Sequence, residues 1–132
     1  MALTRYYTAT SLGMYDIPCW VFTHRQLPVV LDARIEFTSA PVATVHAEMI
    51  NAADGRDVWI VGGGDLAGQF ADAGLLDDVV VQMAPVTLGG GAPLLPRRIE
   101  LRLEEVARNG DFACARFSVV RASGEDTAAT AS

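Results

Sequence analysis

The sequence contains no lysine, only two histidines and two cysteines, and no apolar run that approaches the length of a membrane span. Such a span needs about 20 apolar residues, so we expect no membrane anchor. Acidic residues outnumber basic ones by 16 to 10, and the resulting net charge of −6 argues against a nucleic-acid surface. Neither histidine has a second ligand at metal spacing, so no metal site is expected.

Cys19 and Cys114 lie far apart in the sequence, each in apolar surroundings. Lone cysteines without a secretion signal predict buried thiols in a reducing cytoplasm. Arg5 and Asp16 interrupt the first twenty residues, so a signal peptide is not expected either. The length of 132 residues and the hydrophobic fraction of 51% predict one folded domain, residues 1–121, with a disordered tail over residues 122–132.

The most informative stretch is DVWIVGGGDLAGQF, residues 57–70. Its apolar run, residues 58–61, predicts a buried strand. Three glycines then permit a sharp turn and the close approach of another group. Asp65 is a suitable N-cap for a helix from Leu66 to about Ala73. A glycine turn at a helix N-terminus is a common phosphate site, but a tight turn without a ligand fits the same residues. The strict dinucleotide fingerprint is not met, and no Gly-Lys-Ser/Thr follows, which excludes a P-loop.

The rest of the chain predicts strands alternating with one more helix, and then a hairpin. That helix begins near Pro41 with Ser39 as a candidate cap and ends at Asp54-Gly55. Its apolar stripe is predicted to comprise Val42, Val45, Met49 and Ile50. Asn109-Gly110 is a strong hairpin signal. The predicted strands are residues 3–12, 19–23, 79–84, 101–107 and 113–120, with an irregular strand or edge segment within residues 28–37. This order predicts an α/β sheet with an antiparallel edge.

Four segments, taken in order, resemble the dihydrofolate reductase fold. They are YYTATSL, WVFTHR, DVWIVGGGDLAGQF and DDVVVQMAPVTLGGGAPLLP. Within that fold they are most similar to the branch that contains the C-terminal reductase domain of riboflavin biosynthesis and its stand-alone relatives. The resemblance implies a three-layer α/β fold, with a mostly parallel central sheet, an antiparallel C-terminal hairpin and helices on both faces. It also implies a homodimeric, NADPH-dependent reductase that transfers a hydride to a small pteridine- or pyrimidine-like ring.

The resemblance further implies where the cofactor binds. The glycine turn would hold the pyrophosphate, and Thr23 and Arg25 would meet the adenosine ribose and its 2′-phosphate. Arginine suits this role because its planar fork pairs with phosphate oxygens. The alternative is that Arg25 is a solvated charge at a strand end. Thr8, Ala9 and Thr10 resemble the segment that lies against the nicotinamide, or are ordinary strand residues. The implied cofactor-binding residues are Ala9, Thr23, Arg25, Gly62, Gly63, Gly64, Asp65 and Leu66.

The implied substrate-binding residues are Thr10, Gln82 and Leu88. Gln82 is a polar residue in an apolar strand, and a buried amide must find a partner, which could be a structural neighbour instead of a substrate. Leu88 belongs to a glycine- and proline-rich loop, residues 87–96, that would border the substrate pocket. No catalytic residue is assigned, and His24 receives no role.

The chain departs from the family pattern after Leu12. Relatives continue with a Ser-Leu-Asp-Gly motif and several dozen further residues, whereas here Ser11-Leu12 runs directly into GMYDIP. A link of residues 13–19 spans at most about 25 Å, which is too short or barely sufficient for a crossover between parallel strands. Either the first strand is repositioned or exchanged between chains, or a segment is missing. Two alternatives to a reductase follow: a non-catalytic nucleotide-binding or dimerisation module, and a structural domain without a ligand.

Overall fold

The structure is a computed structural model, and it describes residues 17–29 and 34–121. The predicted first strand, residues 3–12, and the predicted tail, residues 122–132, lie outside the described residues. The described chain divides into two compact units. The first comprises residues 17–29, 34–75 and 93–96, and the second comprises residues 76–92 and 97–121.

The first unit contains a parallel pair of strands and two helices. Strand β1, Cys19–Phe22, pairs with β2, Ile35–Thr38, in a register that runs from Cys19 opposite Ile35 to Phe22 opposite Thr38. Both segments are rich in aromatic and β-branched residues, which favour extended backbone. Helix α1 spans Val42–Ala53 and helix α2 spans Gly64–Asp72.

Phe70 lies at the centre of the hydrophobic core of this unit, with only 2% of its surface exposed. Its ring meets that of Phe22 edge-on at a centroid distance of 6.1 Å, and it meets the His46 ring at 6.1 Å in the same manner. Edge-to-face pairs of this kind add to the stabilisation from burial. Because the three rings belong to α2, β1 and α1, they join all three elements. The other buried apolar residues are Val21, Val42, Val45 and Met49.

The N-cap of helix α1 differs from the prediction, whereas its C-terminal end is as predicted. Pro41, not Ser39, is its N-cap, and no side chain caps the helix. The Pro41 carbonyl oxygen accepts the N–H of Thr44 at 3.0 Å, so the fixed φ of proline sets the entry to the helix. The helix ends at Asp54, which has left-handed backbone, as the Asp-Gly signal indicates. Ile50, expected in the apolar stripe, is half exposed.

Helix α2 begins at the glycine turn, and its cap differs from the prediction. The N-cap is Gly63, with φ of 83°, a conformation that glycine adopts without steric cost. The Gly63 carbonyl oxygen accepts the N–H of Ala67 at 3.0 Å. Asp65 therefore lies inside the first turn, where its charge is favourable to the helix dipole, and it is not the capping residue. The helix ends at Asp72, one residue before the predicted end, and Gly74 follows it with φ of 70°.

Residues 58–61, predicted as a buried strand, form no strand in the structure. Trp59 is 82% exposed, and Val61 is also exposed. A strand needs a neighbour for its backbone hydrogen bonds. Among the described residues no strand pairs with this segment, because the parallel sheet of the first unit consists of β1 and β2. This apolar segment is therefore not paired with another strand among the described residues.

The second unit is a three-stranded antiparallel sheet in the order β3-β5-β4. Its strands are β3, Asp78–Met83, β4, Leu101–Asn109, and β5, Phe112–Val119. The predicted hairpin is confirmed, with its turn one residue later than the Asn-Gly signal. Asn109 pairs with Phe112, so Gly110 and Asp111 form the two-residue loop. Gly110 has φ of 58°, as a type II′ turn requires at its first central position.

The two faces of this sheet differ in polarity. On one face, Arg116 forms ion pairs with Asp78 at 3.4 Å and with Glu105 at 3.8 Å, so one guanidinium bridges all three strands. On the other face, cross-strand register places apolar side chains together, and three of them, Met83, Leu103 and Val106, are exposed. This apolar sheet face comprises Val79, Val81, Met83, Leu101, Leu103, Val106, Ala115, Phe117 and Val119.

A β-bulge at Glu104 preserves that separation of faces. The register of β4 shifts between Leu103 and Glu105, so Glu104 is an extra residue in the ladder. Leu103 and Val106 consequently lie on the same face although three positions separate them. The carboxylate of Glu104 accepts a hydrogen bond from the Ser118 hydroxyl at 2.6 Å.

The predicted α/β class and the antiparallel C-terminal hairpin are confirmed by these two units. The strands at residues 19–22 and 112–119 lie within one or two residues of their predicted bounds. Of the described residues, no helix is both long and apolar enough to cross a bilayer. The three-layer arrangement with a mostly parallel central sheet stays a prediction.

Candidate functional site

A cavity of about 370 Å³ lies in the first unit, at the ends of the two parallel strands. The chain leaves β1 and β2 on the same side because the strands are parallel, and side chains near the N-terminus of α2 complete the wall. Ligand sites in open α/β sheets commonly lie beyond the carboxyl ends of parallel strands. The lining residues are Phe22, Thr23, His24, Arg25, Thr38, Ser39, Ala40, Asp65, Leu66 and Gln69.

Four of the residues expected to bind the cofactor line this cavity together: Thr23, Arg25, Asp65 and Leu66. They come from two segments about 40 positions apart in the sequence, one after β1 and one in the first turn of α2. Their common location agrees with the arrangement that the resemblance implies. Their role in binding stays a prediction.

Thr23 is held in place by two backbone contacts. Its N–H donates to the Thr38 carbonyl oxygen at 2.9 Å, which extends the β1–β2 ladder by one step. Its Oγ1 accepts the N–H of Arg25 at 3.1 Å. A hydroxyl that accepts one hydrogen bond still has its own O–H to donate, so Thr23 can donate to an acceptor in the cavity.

Arg25 is exposed, and its guanidinium forms no ion pair or side-chain hydrogen bond with any residue of the described ranges. Four other arginines instead pair with nearby carboxylates: Arg98, Arg108, Arg116 and Arg121. The fork of Arg25 therefore has its donors directed to solvent at the cavity rim. This is the state in which an arginine can take a phosphate with two parallel hydrogen bonds.

Asp65 and Gln69 form a hydrogen-bonded pair on the wall supplied by α2. Gln69 Nε2 donates to Asp65 Oδ2 at 2.9 Å, across one helical turn. Residues four apart on a helix lie on the same face, so both side chains reach the cavity. The cavity thus carries a carboxylate opposite in charge to Arg25.

Four polar residues that line the cavity are not predicted from the sequence as site residues: His24, Thr38, Ser39 and Gln69. The position of two of them, Thr38 and Ser39, follows from the pairing of the strands. Because Thr38 ends a strand parallel to β1, the residues after it must lie beside those after β1. The sequence predicts only an irregular strand or edge segment around residue 35, and it does not indicate which strand lies beside it.

The third glycine of the turn has a structural reason to be a glycine. A Cβ built on Gly64 would lie 2.3 Å from the carbonyl oxygen of Leu94. The group that approaches this glycine is therefore the backbone of residues 93–96, which belong to the same unit. The expected contact of Gly62, Gly63 and Gly64 with a pyrophosphate stays a prediction.

The expected substrate-binding residues are not among those that line the cavity. Thr10 lies outside the described residues. Thr8 and Ala9, which the resemblance places against the nicotinamide, lie outside them as well. Gln82 is in β3 of the second unit, opposite Cys114, and it is exposed, so the expectation of a buried amide was wrong. Alternation along β3 directs it to the polar sheet face. Leu88 is 83% exposed in the loop that follows β3.

The histidine, cysteine and acidic side chains form no further candidate site within the ranges that the structure describes. No cluster of three or more histidine, cysteine or acidic side chains there could hold a metal ion. Cys19 and Cys114 are half-buried free thiols, less enclosed than expected. Burial raises the pKa of the Cys19 thiol, which keeps it protonated and poorly reactive.

Two curated relatives from Bacillus subtilis (strain 168) match parts of the sequence. The chain is 29% identical to Uncharacterized protein YwjB over 98 residues, which are 72% of this chain and 55% of that protein. It is 38% identical to Uncharacterized protein YyaP over 52 residues, which are 37% of this chain and 28% of that protein. The chain therefore spans about half the length of YwjB and less of YyaP.

Two solved structures are similar in fold. The “Putative riboflavin biosynthesis protein” from Shewanella sp. PV-4 superposes with a TM-score of 0.64 at 21% identity, covering 81% of this chain and 63% of that one. The pyrimidine reductase-like protein from Corynebacterium diphtheriae gives 0.53 at 20% identity, covering 67% and 39%. Both similarities concern the fold.

The match to a family decides the assignment. Residues 8–112 match the RibD C-terminal domain, which is well over half of the chain. The matched range includes β1, the glycine turn, β3 and the first residue of β5, in the order that the resemblance to dihydrofolate reductases implies. The chain belongs to the RibD C-terminal domain family, a branch of the dihydrofolate reductase-like proteins.

Proposed function

We propose that this chain is an NADPH-dependent reductase of the riboflavin-pathway pyrimidine-reductase type. We further propose that the cavity beside β1 and β2 binds the adenosine 2′-phosphate end of the cofactor. The observation that carries the proposal is the position of Arg25. It lies at the rim of a cavity lined by three more of the predicted cofactor residues, and its guanidinium is not engaged by a described carboxylate.

The dimensions and polar groups of the cavity fit one end of a dinucleotide. A volume of about 370 Å³ lies near the lower limit of small-molecule sites, which begin at roughly 300 Å³. Arg25 supplies a positive charge, the Thr23 hydroxyl supplies a donor, and Phe22 and Leu66 supply apolar surface. The first two suit a phosphate, and the apolar surface suits the flat face of a nucleotide base.

The bound cofactor would supply a hydride, and the residues of this chain would fix its position. Selection of NADPH over NADH would come from Arg25 and Thr23, which face the group that distinguishes the two cofactors. The pyrophosphate would extend toward Gly63, the N-cap of α2, where free N–H groups and the helix dipole favour an anion. We propose Thr10, Gln82 and Leu88 for the substrate side and Ala9 for the nicotinamide.

The ring that is reduced is proposed by class alone, as a pyrimidine- or pteridine-like compound. The reductase names of the similar proteins apply to chains that are longer than the matched part. In the full fold we expect a three-layer arrangement with a mostly parallel sheet, in a cytoplasmic protein.

Titration of the purified chain with NADPH and NADH tests the proposal. Energy transfer from tryptophan to the nicotinamide ring reports binding, and Trp59 lies just before the glycine turn. We expect NADPH to bind at least about tenfold more tightly than NADH, because one charge-assisted contact accounts for such a ratio. Equal affinities, or no binding by the folded chain, would overturn the proposal. Selective binding without reduction of any pyrimidine or pterin would instead indicate the nucleotide-binding module.

We also propose that two copies associate through the apolar sheet face defined above. Val106 is 68% exposed and Met83 is 64% exposed on this face, and an exposed apolar surface of this kind is typical of an interface. A second copy would cover these side chains with equivalent ones, as in a two-fold dimer. The mass in solution by light scattering tests this, and a Val106→Arg variant that remains dimeric would contradict it.

A further inference from the structure

Two backbone carbonyl oxygens lie against the first residue of α2. A Cβ built on Gly64 would overlap the carbonyl oxygen of Leu94, and it would lie 3.2 Å from that of Pro93. The segment that supplies both oxygens, residues 93–96, belongs to the same compact unit as α2, and we call it the strap. The strap therefore covers one side of the glycine turn at the point where the helix begins.

The two carbonyl oxygens of the strap compete with an anion for the start of α2. The first N–H groups of a helix have no partner within the helix, and together with the helix dipole they favour negative charge. A carbonyl oxygen carries a partial negative charge, so it is stabilised at this position and repels another oxygen that approaches. A pyrophosphate oxygen that approaches the Gly64 N–H would therefore be repelled by Pro93 and Leu94.

Few interactions hold the strap in place. None of its four residues forms a backbone hydrogen bond with another residue of the ranges 17–29 and 34–121. Pro93 and Pro96 have no N–H to donate. The Leu94 side chain is 64% exposed, so its burial contributes little. A segment with so few contacts can leave its place at a low cost in free energy.

The sequence around the strap suits a movement of the strap as one piece. Pro93 and Pro96 fix φ at both of its ends, which stiffens it. Three glycines, residues 89–91, come shortly before the strap, and a Cβ on any of them would meet nothing within 4 Å. Gly89 has φ of 71°, a conformation that other residues rarely adopt. These glycines can therefore absorb the changes in φ and ψ that a hinge requires.

We propose that the strap closes over the start of α2 in the free chain and moves away when the pyrophosphate of the cofactor binds there. This inference rests on the proposed function, and it adds a conformational step to cofactor binding. The 2′-phosphate end of the cofactor, which binds at Arg25, does not require the movement. The step lowers the apparent affinity for the whole cofactor, because only chains with an open strap can bind it.

A spin label on the strap tests this movement directly. Leu94→Cys is labelled with a nitroxide in a chain that also carries Cys19→Ala and Cys114→Ala, and the label broadens the NMR signals of nearby backbone amides. Without a ligand we expect strong broadening at residues 64–67. NADPH should relieve the broadening, whereas adenosine 2′-monophosphate, which has no pyrophosphate, should leave it unchanged.

Val86→Cys carries the control label. Val86 is 63% exposed, close to the value for Leu94, but it precedes the glycines of residues 89–91. The broadening caused by this label should change with neither ligand. If NADPH binds and the broadening from position 94 persists, or if adenosine 2′-monophosphate relieves it equally, this inference alone is wrong. If the folded chain binds no NADPH, the proposed function fails and the inference fails with it.

A second experiment measures the closed strap through its effect on affinity. The double substitution Pro93→Ala and Pro96→Ala gives the open strap more conformational freedom, so that closing it costs more. NADPH should bind about threefold or more tightly to this variant, and adenosine 2′-monophosphate should bind as before. Pro85→Ala, outside the strap, is the matched control and should leave both affinities unchanged. An unchanged NADPH affinity in the double variant would mean that no closed strap opposes the cofactor.

Discussion

The carbonyl oxygen of Leu94 lies 2.3 Å from the point where a Cβ on Gly64 would be placed. No real Cβ is found so close to a backbone oxygen, so a side chain at this position requires the backbone to move. The close approach joins the start of α2 to residues 93–96, which are distant in sequence but belong to the same unit.

Gly64→Ala should therefore destabilise the protein, by about 1–3 kcal/mol for an overpacked site. The free energy of unfolding, from urea denaturation followed by circular dichroism, measures this loss. Gly90→Ala is the control, because a Cβ on Gly90 would meet nothing within 4 Å. Equal stabilities for the two variants would contradict the close contact.

Phe70→Ala should be among the most destabilising substitutions in the first unit. It removes a buried ring together with its edge-to-face contacts to Phe22 and His46, at a cost of about 3–5 kcal/mol. Trp59→Ala removes an even larger aromatic side chain that is mostly exposed, so its cost should stay within about 0.5 kcal/mol. Thermal unfolding of both variants makes the comparison. A similar loss for the two would mean that residue 59 is covered in solution.

Arg25→Ala should weaken NADPH binding much more than NADH binding. The substitution removes the cation proposed to pair with the 2′-phosphate, which NADH lacks, and the ratio of the two affinities should fall by about tenfold or more. Tryptophan fluorescence titrations with both cofactors measure the ratio. Arg56→Ala removes an equal charge outside the cavity and should leave the ratio as it is. Equal weakening of both cofactors by Arg25→Ala would exclude the 2′-phosphate role.

The Cys19 thiol should make stability depend on pH in the alkaline range. Burial raises its pKa in the folded chain above the ordinary value of 9.0. At pH values between the unfolded and the folded pKa, the folded state binds more protons than the unfolded state. The contribution of the Cys19 thiol to the free energy of unfolding is therefore complete below the unfolded pKa, and it is lost as the pH rises through the folded pKa. Urea denaturation at pH 8 and at higher pH measures the decline. In Cys19→Ala the decline should be smaller, and an identical decline would assign it to other groups.

The sequence was most informative where a local rule determines the backbone. The pair Asn109-Gly110 predicts a hairpin turn, and the observed loop, Gly110 and Asp111, lies one residue later. The side chain of Asp65 predicts the cap of α2 there, but the helix is capped at Gly63, which has positive φ. Residue type indicates what a position tolerates, whereas the backbone angle depends on how the chain enters the helix.

Partners in space were much harder to foresee. The apolar run before the glycine turn has the composition of a buried strand, but composition does not reveal whether a neighbouring strand is available. Thr23 and Arg25 were found through resemblance, whereas Ser39 and Gln69 were not. Their contribution to the cavity follows from the parallel pairing of β1 with β2 and from the helix that lies beside it, which no local pattern encodes.

The extra residue at Glu104 also determines where this strand can change in length. Removing one residue at the bulge would leave a regular ladder in which Leu103 and Val106 still share a face. Removing one residue anywhere else in β4 would turn every following side chain to the opposite face. Homologous chains should therefore show single-residue insertions or deletions at Glu104 far more often than at other positions of β4.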